Sequence, residues 1–238
     1  MKAHDCSPEH YRLKSFKYSS HYWILKWLTA EKVPLRILDV GASSGYVGSA
    51  LRERGHCVAG VEKDEETAAK ARAFYDSFHV RDVEEFEFPF HEEFDFILFA
   101  DILEHLHDPT AVLRRSVPAL KKSGQIIVSV PNIANFIIRL SLLLGRFDYT
   151  DQGILDRTHL RFFTLQSLKK MLQEASCSII EIIPTPLPIQ TVFPLTEKGI
   201  FSPFHEVHYA LVRLWKTMFA YQFLVKAIPN SLTTGRVT

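Results

Sequence analysis

The chain has 238 residues, a net charge of +1 and 47% hydrophobic residues. This length and apolar content allow a full buried core and favour one elaborated domain. The near-neutral charge argues against a general electrostatic attraction to nucleic acid. The three cysteines, Cys6, Cys57 and Cys177, are odd in number and lack metal-ligand spacing, which indicates a reducing compartment without a disulfide framework.

No stretch of the chain has the composition of a targeting or membrane segment. Residues 1–6 are polar where a signal peptide would be apolar. The longest apolar stretch, 136–144, is interrupted by Arg139 and is shorter than the ~20 residues that a membrane span requires. We therefore expect a cytoplasmic protein without a transmembrane segment. Residues 1–17 are expected to form an arm or a lid.

The stretch 35–45 carries the strongest signal. A short apolar run ends in Asp39 and is followed by Gly41 and Gly45. Such a run is typical of a buried parallel strand that turns sharply into a helix. The two glycines permit backbone angles that a side chain would forbid, and they let a ligand lie against the main chain. The sequence therefore predicts a cofactor site at this turn.

The class of cofactor is indicated by what this turn lacks. A dinucleotide fingerprint would need two further glycines, and the chain has Ser43 and Tyr46 in those places. A second apolar run, 57–61, ends in Glu62, whose carboxylate can accept hydrogen bonds from both hydroxyls of a ribose. A nucleoside without phosphates therefore fits better than a dinucleotide.

Strands and helices alternate over the following part of the chain. This alternation predicts an α/β fold with a doubly wound parallel sheet and helices on both faces. Ligands bind beyond the carboxyl ends of the strands in such a sheet, so Asp101–His105, after the fourth strand, belong at the active face. Further strands are predicted at 78–80, 95–100 and 125–130, with a helix from Pro109 that is kinked near Pro118 and ends at 121–124.

After Pro131 the chain departs from this repetition. An apolar stripe at 133–144 predicts a helix, and a polar loop, 146–161, follows it. The stripe is either a packed crossover helix or an apolar wall, which could contact a membrane surface or a lipid-linked acceptor. The remaining elements are predicted as a helix capped by Thr164, a strand at 178–183, a helix over 204–217 and a last strand at 220–225.

These motifs together resemble the class I S-adenosylmethionine-dependent methyltransferases, in the small-molecule branch typified by ubiquinone biosynthesis. The resemblance covers residues 35–183. It implies S-adenosylmethionine as the cofactor and a seven-stranded sheet of order 3-2-1-4-5-7-6 whose last strand is antiparallel. The matching residues are Asp39-Val40-Gly41-Ala42-Ser43-Ser44-Gly45, Glu62, Asp82 and Asp101-Ile102-Leu103-Glu104-His105, with Ser43 where the family most often carries glycine.

The resemblance also implies which residues contact the cofactor. Asp39 and the adjoining backbone are expected near the methionine part, and Asp82 is expected near the adenine. Considered alone, Asp82 is equally well interpreted as an ordinary turn aspartate. The implied cofactor residues are Asp39, Gly41, Ala42, Ser43, Gly45, Glu62, Lys63, Asp82, Val83, Asp101 and Ile102.

The implied organisation is a single methyltransferase domain over residues 1–238. Its parts are an N-terminal arm and helix (1–34), a cofactor-binding half (35–131), an acceptor-site insertion (132–163), a C-terminal substrate half (164–229) and a tail (230–238).

Methyl transfer from a sulfonium is an in-line displacement, in which a hydroxyl acceptor benefits from a general base. His105 is the first candidate base, with a structural role as its alternative. His159 is the second, although its ionisable cluster at 156–161 could instead be a solvated face. No metal is expected, because no matching acid and asparagine pair accompanies Asp101.

The predicted function is therefore S-adenosylmethionine-dependent transfer, favoured at oxygen, to a small-molecule, glycan or lipid-linked acceptor. A non-catalytic cofactor-binding protein and a dinucleotide-dependent oxidoreductase are the alternatives. No nucleic-acid partner is expected, and the sequence leaves the oligomeric state open.

Overall fold

The computed structural model describes residues 13, 16–31, 33–189 and 202–230. The predicted N-terminal arm and C-terminal tail therefore lie almost wholly outside the described residues. The strands are β1 (Arg36–Val40), β2 (Cys57–Glu62), β3 (Ser77–Val80), β4 (Phe94–Ala100), β5 (Leu120–Pro131), β6 (Cys177–Thr185) and β7 (Gln222–Pro229). The helices are α1 (Ser20–Thr29), α2 (Tyr46–Arg52), α3 (Glu65–Ala71), α4 (Pro109–Ser116), α5 (Phe136–Leu143), α6 (Leu165–Glu174), α7 (Ser202–Leu214) and α8 (Lys216–Phe219).

The seven strands form one sheet of order β3-β2-β1-β4-β5-β7-β6. β7 runs antiparallel to both of its neighbours, and the other described pairings are parallel. The predicted fold class, strand order and antiparallel last strand are confirmed. Apolar side chains fill both faces of the sheet: along β4, Ile97 and Phe99 face one layer while Phe96 and Leu98 face the other.

Five of the described helices, α1, α3, α4, α5 and α6, begin at polar residues that accept a hydrogen bond from the first turn. The Ser19 hydroxyl accepts the Tyr22 N–H at 3.0 Å and caps α1. Asp64 caps α3, and Thr164 and Ser167 form reciprocal bonds that start α6. These local signals set where the helices begin and hence how the loops before them are placed.

Two predicted helices and the last strand have bounds that differ from the sequence prediction; the strand predicted over 220–225 is Gln222–Pro229. Lys121–Gly124, predicted as a helix end, belong to β5, because Leu120 already pairs with Phe94. The Lys121 ammonium bonds to the Asp95 carboxylate at 2.9 Å, which stabilises this extension of the sheet. The helix predicted over 204–217 is interrupted at Trp215, between α7 and α8.

Helix α5 exposes most of its apolar stripe. Ile138 packs against Ile154 and Leu155, whereas Leu140 and Leu143 are 53% and 82% exposed. The structure therefore favours the interpretation of the stripe as an apolar wall over that of a packed crossover helix. Within the described ranges, no helix is both long enough and apolar enough to cross a bilayer.

A buried carboxyl group lies beneath the turn that follows β1. Asp39 is 2% exposed and accepts a hydrogen bond from the Tyr75 hydroxyl at 2.7 Å. The Tyr75 ring lies close to two glycines, since a Cβ added at Gly48 or Gly60 would come within 2.2 or 2.9 Å of it. Burial raises the pKa of Asp39 to about 6, although the bond from Tyr75 opposes the rise.

The turn after β1 requires glycine at its last position. Gly45 has φ +81°, and a Cβ there would lie 3.0 Å from the Ala71 Cα of α3. Gly55 has almost the same φ, +85°, but a Cβ there would meet nothing within 4 Å. The two positions therefore share the strain of a left-handed backbone and differ in steric room.

We expect Gly45→Ala to destabilise the protein more than Gly55→Ala. Each change imposes about 1–2 kcal/mol of left-handed strain. Gly45→Ala adds a contact with the α3 backbone, worth a further ~1–3 kcal/mol. Urea denaturation of both variants measures the difference, and equal losses would show that the turn is not closely packed.

We expect the Asp39 carboxyl to make stability depend on pH. Between the ordinary pKa of 3.8 and about 6, the folded protein holds a proton that the unfolded chain releases, so rising pH lowers the free energy of unfolding. The full effect is roughly 3 kcal/mol. Asp39→Asn keeps an acceptor for Tyr75 and removes the titration, so relative to wild type it should gain stability from pH 4 to pH 7.

Urea denaturation across that pH range measures the difference between variant and wild type. Asp151→Asn is the matched control, because the Asp151 side chain is 81% exposed. A difference that stays constant with pH would contradict the assignment of the titration to Asp39.

Candidate active site

The turn after β1 is bonded to β2 and lies against the residue pair that follows β4. The N–H groups of Gly41 and Ala42 both donate to the Val61 carbonyl, at 2.9 and 3.0 Å. A Cβ at Gly41 would lie 2.8 Å from Ile102 Cγ1, so the absence of a side chain lets the two segments touch. Ser43 has φ +48°, a left-handed conformation that glycine adopts without strain.

Glu62 lies at the tip of β2 beside this turn. Its Oε2 accepts the Ser43 N–H at 3.0 Å, and its Oε1 accepts the N–H groups of Lys63 and Asp64 at 2.8 and 3.1 Å. These three donors fix the carboxylate. A carboxylate has about four acceptor positions, so it can also accept bonds from a ligand hydroxyl.

The predicted adenine contacts lie one strand further out. β3 pairs with β2 so that Val80 lies beside Glu62, and the chain continues directly into Asp82 and Val83. Asp82 Oδ1 accepts the Glu84 N–H at 2.9 Å, as a turn aspartate does, while Val83 is buried in the core. The predicted cofactor residues thus fall on the ends of four adjacent strands, except that Asp39 lies beneath the turn.

Asp101 follows β4 in a left-handed conformation, with φ +56°. Its Oδ1 accepts a hydrogen bond from Ser129 Oγ at 2.5 Å and another from Gln222 Nε2 at 2.9 Å. Sequence reasoning identified Asp101 but missed both donors, which come from β5 and β7. An acid held in a strained backbone conformation is a frequent feature of functional sites.

The two candidate histidines lie next to each other. A short turn, Leu103–His105, carries the first, and the loop before α6 carries His159. The loop is held back onto that turn because the N–H groups of Leu160 and Arg161 donate to the Glu104 carbonyl, at 2.8 and 2.9 Å. The two imidazole ring centres are 4.8 Å apart, and His159 Nε2 is 4.0 Å from Glu104 Oε1.

Hydrogen bonds orient both imidazole rings. His105 Nδ1 lies 3.2 Å from the Thr158 carbonyl, and His159 Nδ1 lies 3.1 Å from the Ile154 carbonyl. A carbonyl only accepts, so each Nδ1 carries the hydrogen and each Nε2 presents a lone pair. Burial lowers the pKa of both histidines, and the proximity of His159 lowers that of His105 further.

The cluster at 156–161 is solvated only in part, because Arg157 and Arg161 are exposed whereas its other two ionisable residues are buried. Asp156 and His159 are 3% and 9% exposed, and Asp156 Oδ1 accepts bonds from both the backbone and the hydroxyl of Thr158. The ligand atoms of Glu104, His105 and His159 lie within 4.8 Å of one another, so these side chains could hold a metal ion. Their separation along the chain hid this grouping from sequence analysis.

One cleft brings together Asp101, from the predicted cofactor residues, and both candidate bases. It is lined by Asp101, Glu104, His105, Pro131, Gly153, Asp156, His159, Tyr221 and Gln222. A larger cavity of about 210 Å³ opens beside α4, between Thr110, Arg161 and Met171, and contains none of the predicted site residues. The cleft at Asp101 is therefore the candidate active site.

Comparison with curated proteins identifies relatives of low identity. A ubiquinone biosynthesis O-methyltransferase of Pseudomonas fluorescens is 27% identical over 190 residues, covering 75% of this chain and 78% of that protein. One from Aromatoleum aromaticum is 26% identical over 156 residues, covering 62% of this chain and 66% of that protein. The chain thus spans slightly less than two thirds of the second relative.

Solved structures share the fold. A S-adenosylmethionine-dependent methyltransferase from Archaeoglobus fulgidus has a TM-score of 0.59 at 17% identity, covering 87% of this chain and 91% of its own. Magnesium protoporphyrin IX methyltransferase from Synechocystis, with bound S-adenosylhomocysteine, has a TM-score of 0.60 at 16% identity, covering 88% and 82%.

A family model described as a methyltransferase domain matches residues 17–182, well over half of the chain. The methyltransferase family predicted from the sequence is confirmed, and the Archaeoglobus fulgidus neighbour is described as dependent on S-adenosylmethionine, the predicted cofactor. The chain belongs to the methyltransferase-domain family.

Proposed function

We propose that this protein transfers the methyl group of S-adenosylmethionine to a hydroxyl oxygen of a small-molecule acceptor. The observation that carries the proposal is the single cleft in which Asp101, at the cofactor edge of the sheet, and the His105–His159 pair lie together. S-adenosylmethionine supplies an activated methyl group on a sulfonium. The residues of the cleft then align the acceptor and take up its proton.

The order of the strands supports a proposed position for each part of the cofactor. Glu62 at the end of β2 binds the ribose hydroxyls, and Asp82 and Val83 border the adenine beyond β3. β1 and its glycine turn lie between β2 and β4, so the methionine part extends across the turn toward Asp101 and Ile102. The Gly41–Ile102 contact closes this side of the cofactor site.

A hydroxyl acceptor has to lose a proton as the new bond forms. The Nε2 lone pairs of His105 and His159 can take up this proton, because each Nδ1 is bonded to a backbone carbonyl. Holding acceptor and methyl group in line contributes up to about 7–11 kcal/mol in model reactions. The base and this alignment together account for the chemistry we propose.

The curated relatives, which are named O-methyltransferases of ubiquinone biosynthesis, support an oxygen acceptor. A lipid-linked acceptor is a second candidate, because α5 has an exposed apolar face and packs on the segment that leads into the cleft. The buried face of α5 packs on Ile154 and Leu155, which directly precede Asp156. An acceptor with an apolar tail could lie along α5 while its hydroxyl reaches His159.

We expect Glu62→Gln to weaken binding of S-adenosylhomocysteine at least tenfold. The change removes the negative charge that strengthens the bonds from the ribose hydroxyls, and such bonds are worth roughly 1.5–3 kcal/mol. Isothermal titration calorimetry measures the affinity. Glu65→Gln, an exposed position in the first turn of α3, is the control. Affinity within twofold of wild type would refute the ribose role.

We expect His105→Gln and His159→Gln to slow methyl transfer by about 10²–10⁴-fold for whichever residue is the base. Binding of S-adenosylhomocysteine should stay near normal, because neither side chain lies at the ribose or the glycine turn. Radiolabelled S-adenosylmethionine measures transfer. The assay uses a panel of candidate methyl acceptors. Each hydroxyl compound is tested beside its amine analogue, and each soluble hydroxyl compound is tested beside a lipid-linked form of the same hydroxyl.

His107→Gln is the matched control, because its side chain is 81% exposed and pairs with Glu84. The panel is repeated with a chelator and with added Mg²⁺ or Zn²⁺, since Glu104 and the two histidines could hold a metal. Wild-type rates in both variants would remove the histidines as bases. Transfer to amines alone would overturn the oxygen acceptor, and binding without any transfer would favour a non-catalytic protein.

A further inference from the structure

We infer that Gln222, together with Ser129, is a positioning residue that orients the Asp101 carboxylate toward the methionine part of the cofactor. This inference rests on the proposed function, which places that part of the cofactor at Asp101. Gln222 comes from the last strand of the sheet, 121 residues further along the chain than Asp101. It therefore links the acceptor half of the domain to the cofactor half.

The hydrogen bonds around Asp101 fix both its backbone and its carboxylate. The Asp101 N–H donates to Ser129 Oγ at 3.1 Å, and the same hydroxyl donates to Asp101 Oδ1 at 2.5 Å. Gln222 Nε2 donates to that same oxygen at 2.9 Å. Two donors that converge on Oδ1 set the plane in which the carboxylate lies.

Gln222 is itself held firmly. It is 4% exposed, begins β7, and pairs with Pro131 of β5 on one side and Thr185 of β6 on the other. Its N–H donates to the Thr185 hydroxyl at 3.2 Å. Burial and pairing on both edges leave the side-chain amide little freedom except toward Asp101.

The two groups that donate to the Asp101 carboxylate, the Ser129 hydroxyl and the Gln222 amide, are uncharged. This suits a ligand that carries positive charge. S-adenosylmethionine carries positive charge on its sulfonium and on its amino group, and both groups are attracted by a carboxylate. An amide and a hydroxyl stabilise the Asp101 carboxylate without cancelling its charge, whereas a lysine or arginine in their place would cancel it. The pair thus orients the negative charge and preserves it for the cofactor.

The left-handed backbone at Asp101 indicates why such support is needed. A residue with a side chain at φ +56° is held in a sparsely populated conformation, which costs free energy. The surrounding contacts offset that cost. Because the Ser129 and Gln222 bonds act on Asp101 directly, losing either should disturb the carboxylate before it disturbs the sheet.

The test compares two ligands that differ only in the part near Asp101. S-adenosylhomocysteine contains the amino-acid part, whereas 5′-methylthioadenosine contains the same nucleoside without it. We expect Gln222→Met, which keeps the side-chain length and removes the donor, to weaken binding of S-adenosylhomocysteine about tenfold. Binding of 5′-methylthioadenosine should stay within twofold of wild type. Calorimetry with each ligand measures both affinities.

Ser129→Ala provides a second variant, and Ser116→Ala is its matched control. Both serines are fully buried and each hydroxyl donates one hydrogen bond, but the Ser116 hydroxyl donates to Leu113 within α4, away from the cleft. Ser129→Ala should lower the affinity for S-adenosylhomocysteine relative to that for 5′-methylthioadenosine. Ser116→Ala should leave this ratio unchanged. Once an acceptor is known, KM for S-adenosylmethionine should rise in Gln222→Met with kcat little changed.

The outcomes separate this inference from the proposed function. If the unaltered protein binds neither ligand, the proposed cofactor site fails. If it binds both and the two variants lose affinity for them equally, or lose only thermal stability, Gln222 and Ser129 have a structural role and the inference is overturned.

Discussion

The site depends on three parallel strands that end level with one another. Val40 of β1 pairs with Val61 of β2 on one side and with Phe99 of β4 on the other, so the chain leaves all three strands at the same edge of the sheet. The glycine turn, Glu62 and Asp101 are consequently neighbours, although the chain reaches them far apart in sequence. A shift of one residue in either pairing would turn the side chains of that strand to the other face and separate them.

Polar groups at this edge are buried at a cost, and the structure offsets that cost with specific partners. The Asp39 carboxyl beneath the turn has Tyr75, and the Asp101 carboxylate beside it has Ser129 and Gln222. The small residues Gly48 and Gly60 make room for the Tyr75 ring. The turn is therefore rigid because the groups underneath it have fixed partners, and a rigid turn can hold a ligand without first becoming ordered.

Much of this could be predicted from the sequence because the signals were local. Glycines at the turn, an acid at the tip of β2 and caps such as Ser19 and Thr164 act within a few residues, so a single sequence displays them. The start of β5 was missed because Lys121–Gly124 look like the end of a helix, and only pairing with β4 makes them strand. The sequence also could not decide whether α5 is buried or exposed. The pattern of apolar residues is the same whether or not another part of the protein covers them.

The partners of the site residues could not be predicted, because each lies far from its target along the chain. Tyr75 is 36 residues from Asp39, and Thr158 is 53 residues from His105. Periodicity and spacing carry no information about such pairs. They follow from the completed sheet and from the loop before α6, which folds back onto the Glu104 carbonyl.

These long-range partners also determine how the two halves of the domain depend on each other. The glycine turn, Glu62 and Asp82 take their described hydrogen bonds from within residues 39–85, so the proposed nucleoside end of the site is built from one continuous stretch. Asp101 and His105 instead rely on Gln222 and Thr158, which belong to the part of the chain that lines the acceptor cleft. Under the proposed function, a substitution that adapts that part to a new acceptor therefore acts on the proposed methionine end of the cofactor site as well, while the proposed nucleoside end is insulated from it.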